Sequence, residues 1–180
     1  MELDRKKEVI SICLDMFVTK GLSETSTRDL AKALKLQNAG LYYYFHSKFD
    51  AVVACFEEAL SRLEINVVLP SFIDLDNPEK LVHNLLTRAE QMSGLLRFVM
   101  EAVSSVPYRE ALKPSLDRMR KRMDRYSDRV ANKLGCTATE IAPYLNMTVS
   151  ALSEYMLFGD ASKIELQMTI LKKMLQQKNG

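Results

Sequence analysis

The sequence is poor in the residues on which most catalytic and metal sites depend. It has no tryptophan, two histidines and three cysteines among 180 residues. His46 and His83 offer little to a histidine-based metal site or a catalytic triad, so we expect no enzyme activity, no metal centre and no cofactor. Cys13, Cys55 and Cys136 are odd in number and far apart, which predicts reduced thiols within helices and argues against a disulfide framework.

Long apolar runs are also missing. No uninterrupted apolar stretch reaches the roughly 18 residues that a membrane-spanning helix needs, and no basic start leads into one, so we expect a cytoplasmic protein without a membrane partner. The formal net charge is only +2. Residues 1–50 carry eight basic and seven acidic side chains, a net charge of +1. A nucleic-acid partner is therefore indicated by where the basic residues lie and not by total charge.

The alternating apolar pattern of β-strands is absent as well, and apolar residues instead recur every three or four positions, which predicts an all-α fold. Proline, glycine and capping residues divide this pattern into separate helices. The expected helices cover residues 3–20, a segment from 27, a segment from 37 or 38, 47–68, 77–91, 94–104, a segment from 108 or 115 to 134, a segment opened by Thr137, and 161–177.

The stretch from Thr25 to Lys48 contains two short helical patterns separated by a tight turn. Ser26 has an acidic residue three positions later, a capping-box arrangement that places the first residue of the helix at Thr27. The apolar face of this helix comprises Leu30, Ala31 and Leu34. The second helix is expected to bury Leu41 and Phe45, which lie one helical turn apart.

Three consecutive tyrosines distinguish this second helix. By helical geometry Tyr44 lies at the rim, and the outward face comprises Gln37, Asn38, Ala39, Tyr42 and Tyr43. Two short helices, the second presenting such a face, form a helix-turn-helix that places one helix in a DNA groove. Taken alone, the tyrosines are also compatible with a core or a protein interface. The alternative function is therefore a helical protein-interaction or apolar-ligand-carrier module without DNA binding.

Phe17 and Gly21 close the first helix, and Thr25–Ala31, Leu41–Phe45 and Ser47–Lys48 follow them. These residues resemble the N-terminal domain of the tetracycline-repressor (TetR) family of bacterial one-component regulators. Two positions depart from the family pattern. Lys35 stands where glycine is usual, which predicts a turn of different shape. Gly40 stands where serine or threonine is usual, which removes one hydroxyl contact to DNA.

The resemblance implies a helix-turn-helix DNA-binding domain of three helices at residues 1–47. A helical bundle at residues 48–180 would bind ligand and dimerise, with helix 48–68 as connector. The protein would be a homodimeric repressor, released from a near-palindromic double-stranded DNA operator by a small apolar or amphipathic effector. The residues expected to contact DNA are Thr25, Thr27, Arg28, Gln37, Asn38, Ala39, Gly40, Tyr42, Tyr43, Tyr44 and Lys48.

The last two helices are apolar on more than one side, so the extra side needs a partner, for which a second copy of the chain is the simplest choice. The resemblance implies a four-helix interface made from both subunits. The expected interface residues are Leu145, Val149, Leu152, Tyr155, Met156, Ile164, Met168, Leu171 and Leu175.

Methionines are concentrated in the C-terminal half, where thioethers and aromatic rings can line an adaptable apolar cavity or simply fill a core. The expected ligand-binding residues are His83, Met92, Phe98, Glu101, Met119, Met123, Tyr126 and Tyr144. The arginine-rich helix before residue 134 also carries Asp117, Asp124 and Asp128 at helical spacing. We interpret it as a solvated face with internal salt bridges and not as a second nucleic-acid site.

Overall fold

The computed structural model describes residues 2–64, 78–160, 162–164, 166 and 169–170. Within these ranges the chain forms helices and turns without a β-strand, which confirms the all-α prediction. The seven helices with defined bounds are α1 (Glu2–Lys20), α2 (Thr27–Ala33), α3 (Asn38–Leu41), α4 (Lys48–Leu63), α5 (Pro78–Ser104), α6 (Val106–Leu134) and α7 (Ala138–Phe158). The described residues from 162 onward are also helical. None of the described helices is long and apolar enough to cross a bilayer.

Two capping boxes begin helices where the sequence predicted them. The Ser26 hydroxyl accepts a hydrogen bond from the Asp29 N–H, and the Asp29 carboxylate accepts one from the Ser26 N–H. Thr137 and Glu140 form the same pair at α7. Each box satisfies backbone N–H groups that the first helical turn leaves without intrahelical partners.

Two predicted helix breaks do not occur. The segments predicted at 77–91 and 94–104 form one helix, α5, which continues through Gly94. A Cβ at Gly94 would lie 2.7 Å from Cγ1 of Val18, so close packing against α1 accounts for this glycine. Helix α6 likewise begins at Val106, before the predicted start at 108 or 115, and continues through Pro114. The predicted C-terminal part of the fourth helix, residues 65–68, lies outside the described residues.

The chain forms two compact units. The first comprises the residues up to Arg62 together with Gly94–Arg118, and the second comprises the described residues of 63–93 and those from Met119 onward. The first unit therefore includes segments on both sides of the predicted domain boundary after residue 47. Its core side chains include Val9, Cys13, Leu14, Phe17, Leu30, Leu41, Phe45, Val52, Phe56 and Phe98. The core of the second unit includes Ala89, Val130, Ala131, Ile141, Leu152 and Ile164.

Candidate nucleic-acid interface

Helix α2 packs its apolar side into the first unit and exposes basic side chains. Leu30 and Ala31 are buried, as the sequence predicted. Arg28 and Lys32 are exposed. Lys20 forms an ion pair with Asp29 at 2.7 Å. This ion pair and the hydrogen bonds from Ser26 hold the pKa of the Asp29 carboxyl well below its ordinary range.

The turn between α2 and α3 is formed by Lys35, which has a φ of 55°. The Leu36 N–H donates to the Ala31 carbonyl at 2.9 Å, and the Lys35 N–H donates to the Lys32 carbonyl at 3.0 Å. This pair of bonds defines a Schellman helix end, in which glycine is usually the left-handed residue. The expectation of a differently shaped turn is therefore corrected: Lys35 itself adopts the left-handed conformation that a glycine would supply.

Helix α3 is shorter than predicted. It ends at Leu41, and Tyr42, Tyr43 and Tyr44 form a hydrogen-bonded turn after it. The N–H groups of Tyr44 and Phe45 both donate to the Leu41 carbonyl at 3.0 Å, so the last turn tightens before α4. We refer to residues 37–45 as the reading segment.

Burial within the reading segment follows the predicted pattern. Leu41 and Phe45 are each 3% exposed, whereas Tyr42 is 50% and Tyr43 73% exposed. Tyr44 lies at the rim with its ring edge-on to Tyr43, at 5.1 Å between ring centroids. Two neighbouring tyrosines thus project from the surface, and large exposed apolar groups of this kind commonly mark a binding surface.

Several small and polar positions complete this surface. Gln37 and Ala39 are exposed, Thr27 and Gly40 are partly exposed, and the side chain of Asn38 lies outside the described residues. A Cβ at Gly40 would meet the Leu36 Cβ at 3.3 Å, so a serine there requires Leu36 to shift by a few tenths of an ångström.

The N-terminal end of α1 also reaches the reading segment through Arg5. The pKa of the Arg5 guanidinium is raised by hydrogen bonds to the Glu8 carboxylate and the Tyr44 hydroxyl. The contact brings a positive charge beside the tyrosines, where a phosphate group can be neutralised. No local pattern could have predicted the contact between Arg5 and Tyr44, because the two residues lie far apart in the sequence.

Two residues predicted to contact DNA have structural partners. Thr25 is 1% exposed, and its hydroxyl donates to the Gly21 carbonyl at 2.6 Å. The Lys48 ammonium donates to the Leu22 carbonyl at 2.7 Å. In this structure both side chains hold the turn between α1 and α2, and their contact with DNA stays a prediction.

The residues predicted to bind ligand are divided between the two units. Phe98 belongs to the first unit, where it stacks on Phe17 at 5.5 Å between ring centroids. Glu101 is in the same unit and accepts hydrogen bonds from Leu22 and Ser23. Met92, Met119, Met123 and Tyr126 belong to the second unit, and the side chains of His83 and Tyr144 lie outside the described residues.

Glu64 is a polar residue of the second unit that the sequence did not single out. It is 6% exposed and accepts hydrogen bonds from Arg122 Nε at 2.7 Å and from the Tyr126 hydroxyl at 2.9 Å. In the first unit, Arg118 forms an ion pair with Glu57. Arg118 and Arg122 of the arginine-rich helix thus pair with glutamates that lie outside α6.

The predicted dimer residues are partly buried within one chain. Leu152 and Met156 are 2% and 5% exposed, and Ile164 is 1% exposed. Val149 and Tyr155 are partly exposed, whereas Met168, Leu171, Leu175 and the Leu145 side chain lie outside the described residues. Among the described residues from α7 onward, the exposed large apolar side chains are Met147, Phe158 and Leu166.

Other kinds of site find little support in the described part of the chain. No three His, Cys, Asp or Glu side chains gather there as metal ligands do. Cys13 and Cys55 are buried free thiols, and burial raises the pKa of Cys13 to about 12. Such thiols are poor nucleophiles, because only the thiolate reacts.

Helix α2 exposes basic side chains, α3 follows it after a tight turn, and exposed tyrosines follow α3. This arrangement forms a helix-turn-helix, a motif typical of DNA-binding proteins. Residues 13–55 match the family described as bacterial regulatory proteins, tetR family. The match covers the helix-turn-helix and the start of α4, so this part of the chain is similar to bacterial regulatory proteins of the TetR family.

Similar proteins include the nucleoid occlusion factor SlmA of Vibrio campbellii, which is 29% identical over 136 residues. That match covers 73% of this chain and 65% of SlmA, less than two thirds of the relative. A TetR-family regulator structure from Mesorhizobium loti has a TM-score of 0.70 at 16% identity, covering 97% of this chain and 96% of its own. BioQ, solved with its double-stranded DNA operator, has a TM-score of 0.53 at 14% identity, covering 94% and 96%.

Proposed function

We propose that this protein is a homodimeric transcriptional repressor whose reading segment binds a near-palindromic operator and which a small apolar or amphipathic ligand releases. The observation that carries the proposal is the exposure of Tyr42 and Tyr43 directly after α3, while Leu41 and Phe45 anchor the same segment in the core. BioQ, which shares the fold, was solved with its double-stranded DNA operator. In this proposal the protein acts in the bacterial cytoplasm.

Each side chain of the interface has a physical role in this proposal. Arg28, Gln37 and Asn38 reach base edges, since guanidinium and amide groups form paired hydrogen bonds with bases. Tyr42 and Tyr43 contact phosphates or thymine methyl groups. Thr27, Lys48 and the backbone around Ala39 and Gly40 follow the phosphates and set the register.

The test of DNA recognition is selection of bound duplexes from a random-sequence library by the wild-type protein. We expect enrichment of a near-palindromic sequence, and Tyr43→Ala should bind this duplex at least about tenfold more weakly, while its thermal midpoint stays unchanged because the side chain is exposed. Tyr43→Phe is the matched control, because it keeps the ring and removes only the hydroxyl. Failure to enrich any sequence, or full affinity of Tyr43→Ala for the enriched duplex, would contradict the proposal.

Dimerisation is proposed through α7 and the helical residues after it. Met147, Phe158 and Leu166 are 49%, 79% and 63% exposed in the single chain, an unfavourable arrangement that a second copy would relieve. Two copies would present their reading segments to successive major grooves, about 34 to 36 Å apart. Phe158→Asp should shift the mass measured by light scattering towards the monomer and weaken operator binding. A wild-type protein that is monomeric at micromolar concentration would contradict the dimer.

The effector is proposed to bind in the second unit, where Met92, Met119, Met123 and Tyr126 supply thioether and aromatic surface. The ligand would shift the protein towards a conformation with lower operator affinity, by binding that conformation more tightly. The measurement is release of the selected duplex in a screen of apolar and amphipathic compounds. Met123→Ala should alter the ligand concentration that releases DNA without changing DNA affinity in its absence.

The likeness to SlmA supports a second candidate, action as a nucleoid occlusion factor. A genome-wide map of bound sites distinguishes the two functions. A few sites at promoters, with transcripts that rise when the gene is deleted, support the repressor. Many sites spread over the chromosome, with unchanged transcripts, support the second candidate.

A further inference from the structure

Glu101 of α5 binds the turn that joins α1 to α2. Its carboxylate accepts hydrogen bonds from the Leu22 N–H at 3.1 Å, the Ser23 N–H at 3.0 Å and the Ser23 hydroxyl at 2.8 Å. The turn lies 78 to 79 residues before Glu101 in the sequence. Hydrogen bonds to a carboxylate are about twice as strong as those between neutral groups. This one side chain thus provides three such bonds to two consecutive residues.

Glu101 stands at the end of a face of α5 that lies along α1. Gly94, Phe98 and Glu101 follow one another at intervals of four and three residues, which places them on one side of the helix. Gly94 approaches Val18, and Phe98 stacks on Phe17 at 5.5 Å. The face therefore contacts α1 near its C-terminal end and then, through Glu101, the turn that follows it.

The backbone N–H and carbonyl of Leu22 bind two side chains of opposite charge. Its N–H donates to the Glu101 carboxylate, and its carbonyl accepts from the Lys48 ammonium of α4 at 2.7 Å. Its side chain is 3% exposed. The turn has little freedom to move between these partners, and the N-cap of α2, Ser26, follows after only three further residues. The turn therefore fixes where α2 begins.

We propose that Glu101 is a positioning residue for DNA binding, which sets the orientation of α2 and the reading segment without itself contacting DNA. Helices α2 and α3 pack against each other, so a displacement at the start of α2 is transmitted to the tyrosines. The inference rests on the proposed recognition of an operator by the reading segment. Glutamine cannot replace the carboxylate fully, because its amide nitrogen is a donor and would face the donors of the turn.

Glu101→Gln is the test, because loss of the positioning contacts and loss of the negative charge should change DNA affinity in opposite directions. The probes are the duplex selected by the wild-type protein and a scrambled duplex of the same composition. If Glu101 positions the turn, the variant should bind the selected duplex about tenfold or more weakly, as expected for the loss of hydrogen bonds to a charged group. Binding of the scrambled duplex depends on phosphates and should not weaken. Removal of a negative charge alone would instead strengthen binding of both duplexes.

Glu110→Gln is the matched control, because it removes the same charge from an exposed glutamate of the same unit. It should not weaken binding of the selected duplex. Ser23→Ala removes one of the three hydrogen bonds and should weaken binding less than Glu101→Gln does. Amide hydrogen exchange at Leu22 and Ser23 should accelerate in Glu101→Gln, and Glu101→Asp, which keeps the carboxylate, should recover part of the affinity.

Three results would overturn the inference: full affinity of Glu101→Gln for the selected duplex, equal effects of Glu101→Gln and Glu110→Gln, or equal losses on both duplexes with a lowered thermal midpoint. The last result would indicate a role in folding alone. A wild-type protein that selects no duplex would overturn the proposed function itself. A selected duplex that Glu101→Gln binds as well as wild type does would overturn only the positioning role.

Discussion

Lys35 and Gly135 occupy the same position in the same helix-ending motif. Both have left-handed backbone conformations, with φ of 55° and 62°. The N–H of the next residue donates to a carbonyl five positions back, at 2.9 Å after Lys35 and 3.0 Å after Gly135. Glycine adopts this conformation without steric cost, whereas a residue with a Cβ is strained by about 1 to 2 kcal/mol. The helix-turn-helix therefore contains strain that the end of α6 avoids.

Replacing Lys35 by glycine should raise the free energy of unfolding of the first unit by about 1 kcal/mol. Lys35→Ala is the control, because alanine also lacks the charge but keeps the Cβ and hence the strain. The measurement is urea denaturation of both variants, and the difference between them isolates the backbone effect. Equal stabilities of the glycine and alanine variants would show that the turn is not strained.

Gly94 and Val18 should behave as a coupled pair. Alanine at position 94 gains about 1 kcal/mol in helix propensity. Its Cβ would meet Val18 Cγ1 at 2.7 Å, an overlap that costs about 1 to 3 kcal/mol. Gly94→Ala should therefore be neutral or destabilising in the wild-type chain and stabilising in a Val18→Ala background. A double-mutant cycle measured by urea denaturation checks this, and additive effects would contradict the close contact.

The features that sequence analysis predicted correctly depend on neighbours within one helical turn. The capping boxes that begin α2 and α7 each involve residues three positions apart. The burial of Leu41 and Phe45, with Tyr42 and Tyr43 exposed, follows from helical geometry over five residues. Such patterns are visible in the sequence because the interacting groups are close along the chain.

The features that were missed depend on groups distant in sequence. Gly94 was interpreted as the start of a new helix. The structure instead accounts for this glycine by the close approach of Val18 from α1, a contact that the local sequence does not show. The contact of Glu101 with the turn between α1 and α2 was missed because the turn lies 78 to 79 residues away in the sequence. The left-handed conformation of Lys35 was missed for a different reason. Lysine disfavours this backbone conformation, and packing of the two flanking helices overrides that preference.

The Glu101 contact should make stability depend on pH. Burial disfavours the charged form of Glu101, but the hydrogen bonds from Ser23 and Leu22 outweigh it and hold the pKa of the carboxyl below its ordinary value of 4.5. A carboxyl with a lower pKa in the folded chain stabilises it above the unfolded pKa, and this contribution is lost as pH falls through the folded pKa.

We therefore expect Glu101→Gln to be less stable than wild type at about pH 7, with the difference shrinking as pH falls below about 4.5. Urea denaturation of both proteins across this range is the measurement. The neighbouring Tyr108 hydroxyl does not titrate in this window, because burial together with the Glu101 charge raises its pKa. A difference that is constant down to about pH 3 would show that the carboxylate contributes no charge-dependent stability.

Removal of Arg122 should destabilise the second unit more than removal of any exposed arginine. Glu64 is 6% exposed, and Arg122 and Tyr126 bind its two carboxylate oxygens. Arg122→Met leaves a buried carboxylate without its countercharge, which should cost about 3 kcal/mol. This is the lower end of the usual range, because the Arg122 side chain is 33% exposed and water can replace part of the interaction. Tyr126→Phe removes one hydrogen bond and should cost about 1 kcal/mol.

The matched control for Arg122→Met is Arg129→Met, because Arg129 is exposed and lies over the Tyr126 ring at 5.9 Å. It should change the free energy of unfolding by about 0.5 kcal/mol or less. The double variant Glu64→Leu with Arg122→Met removes both charges and should recover most of the lost stability, since an apolar pair needs no countercharge. Urea denaturation compares the four variants with wild type. Equal losses in Arg122→Met and Arg129→Met, or no recovery in the double variant, would show that Glu64 does not depend on Arg122 for its burial.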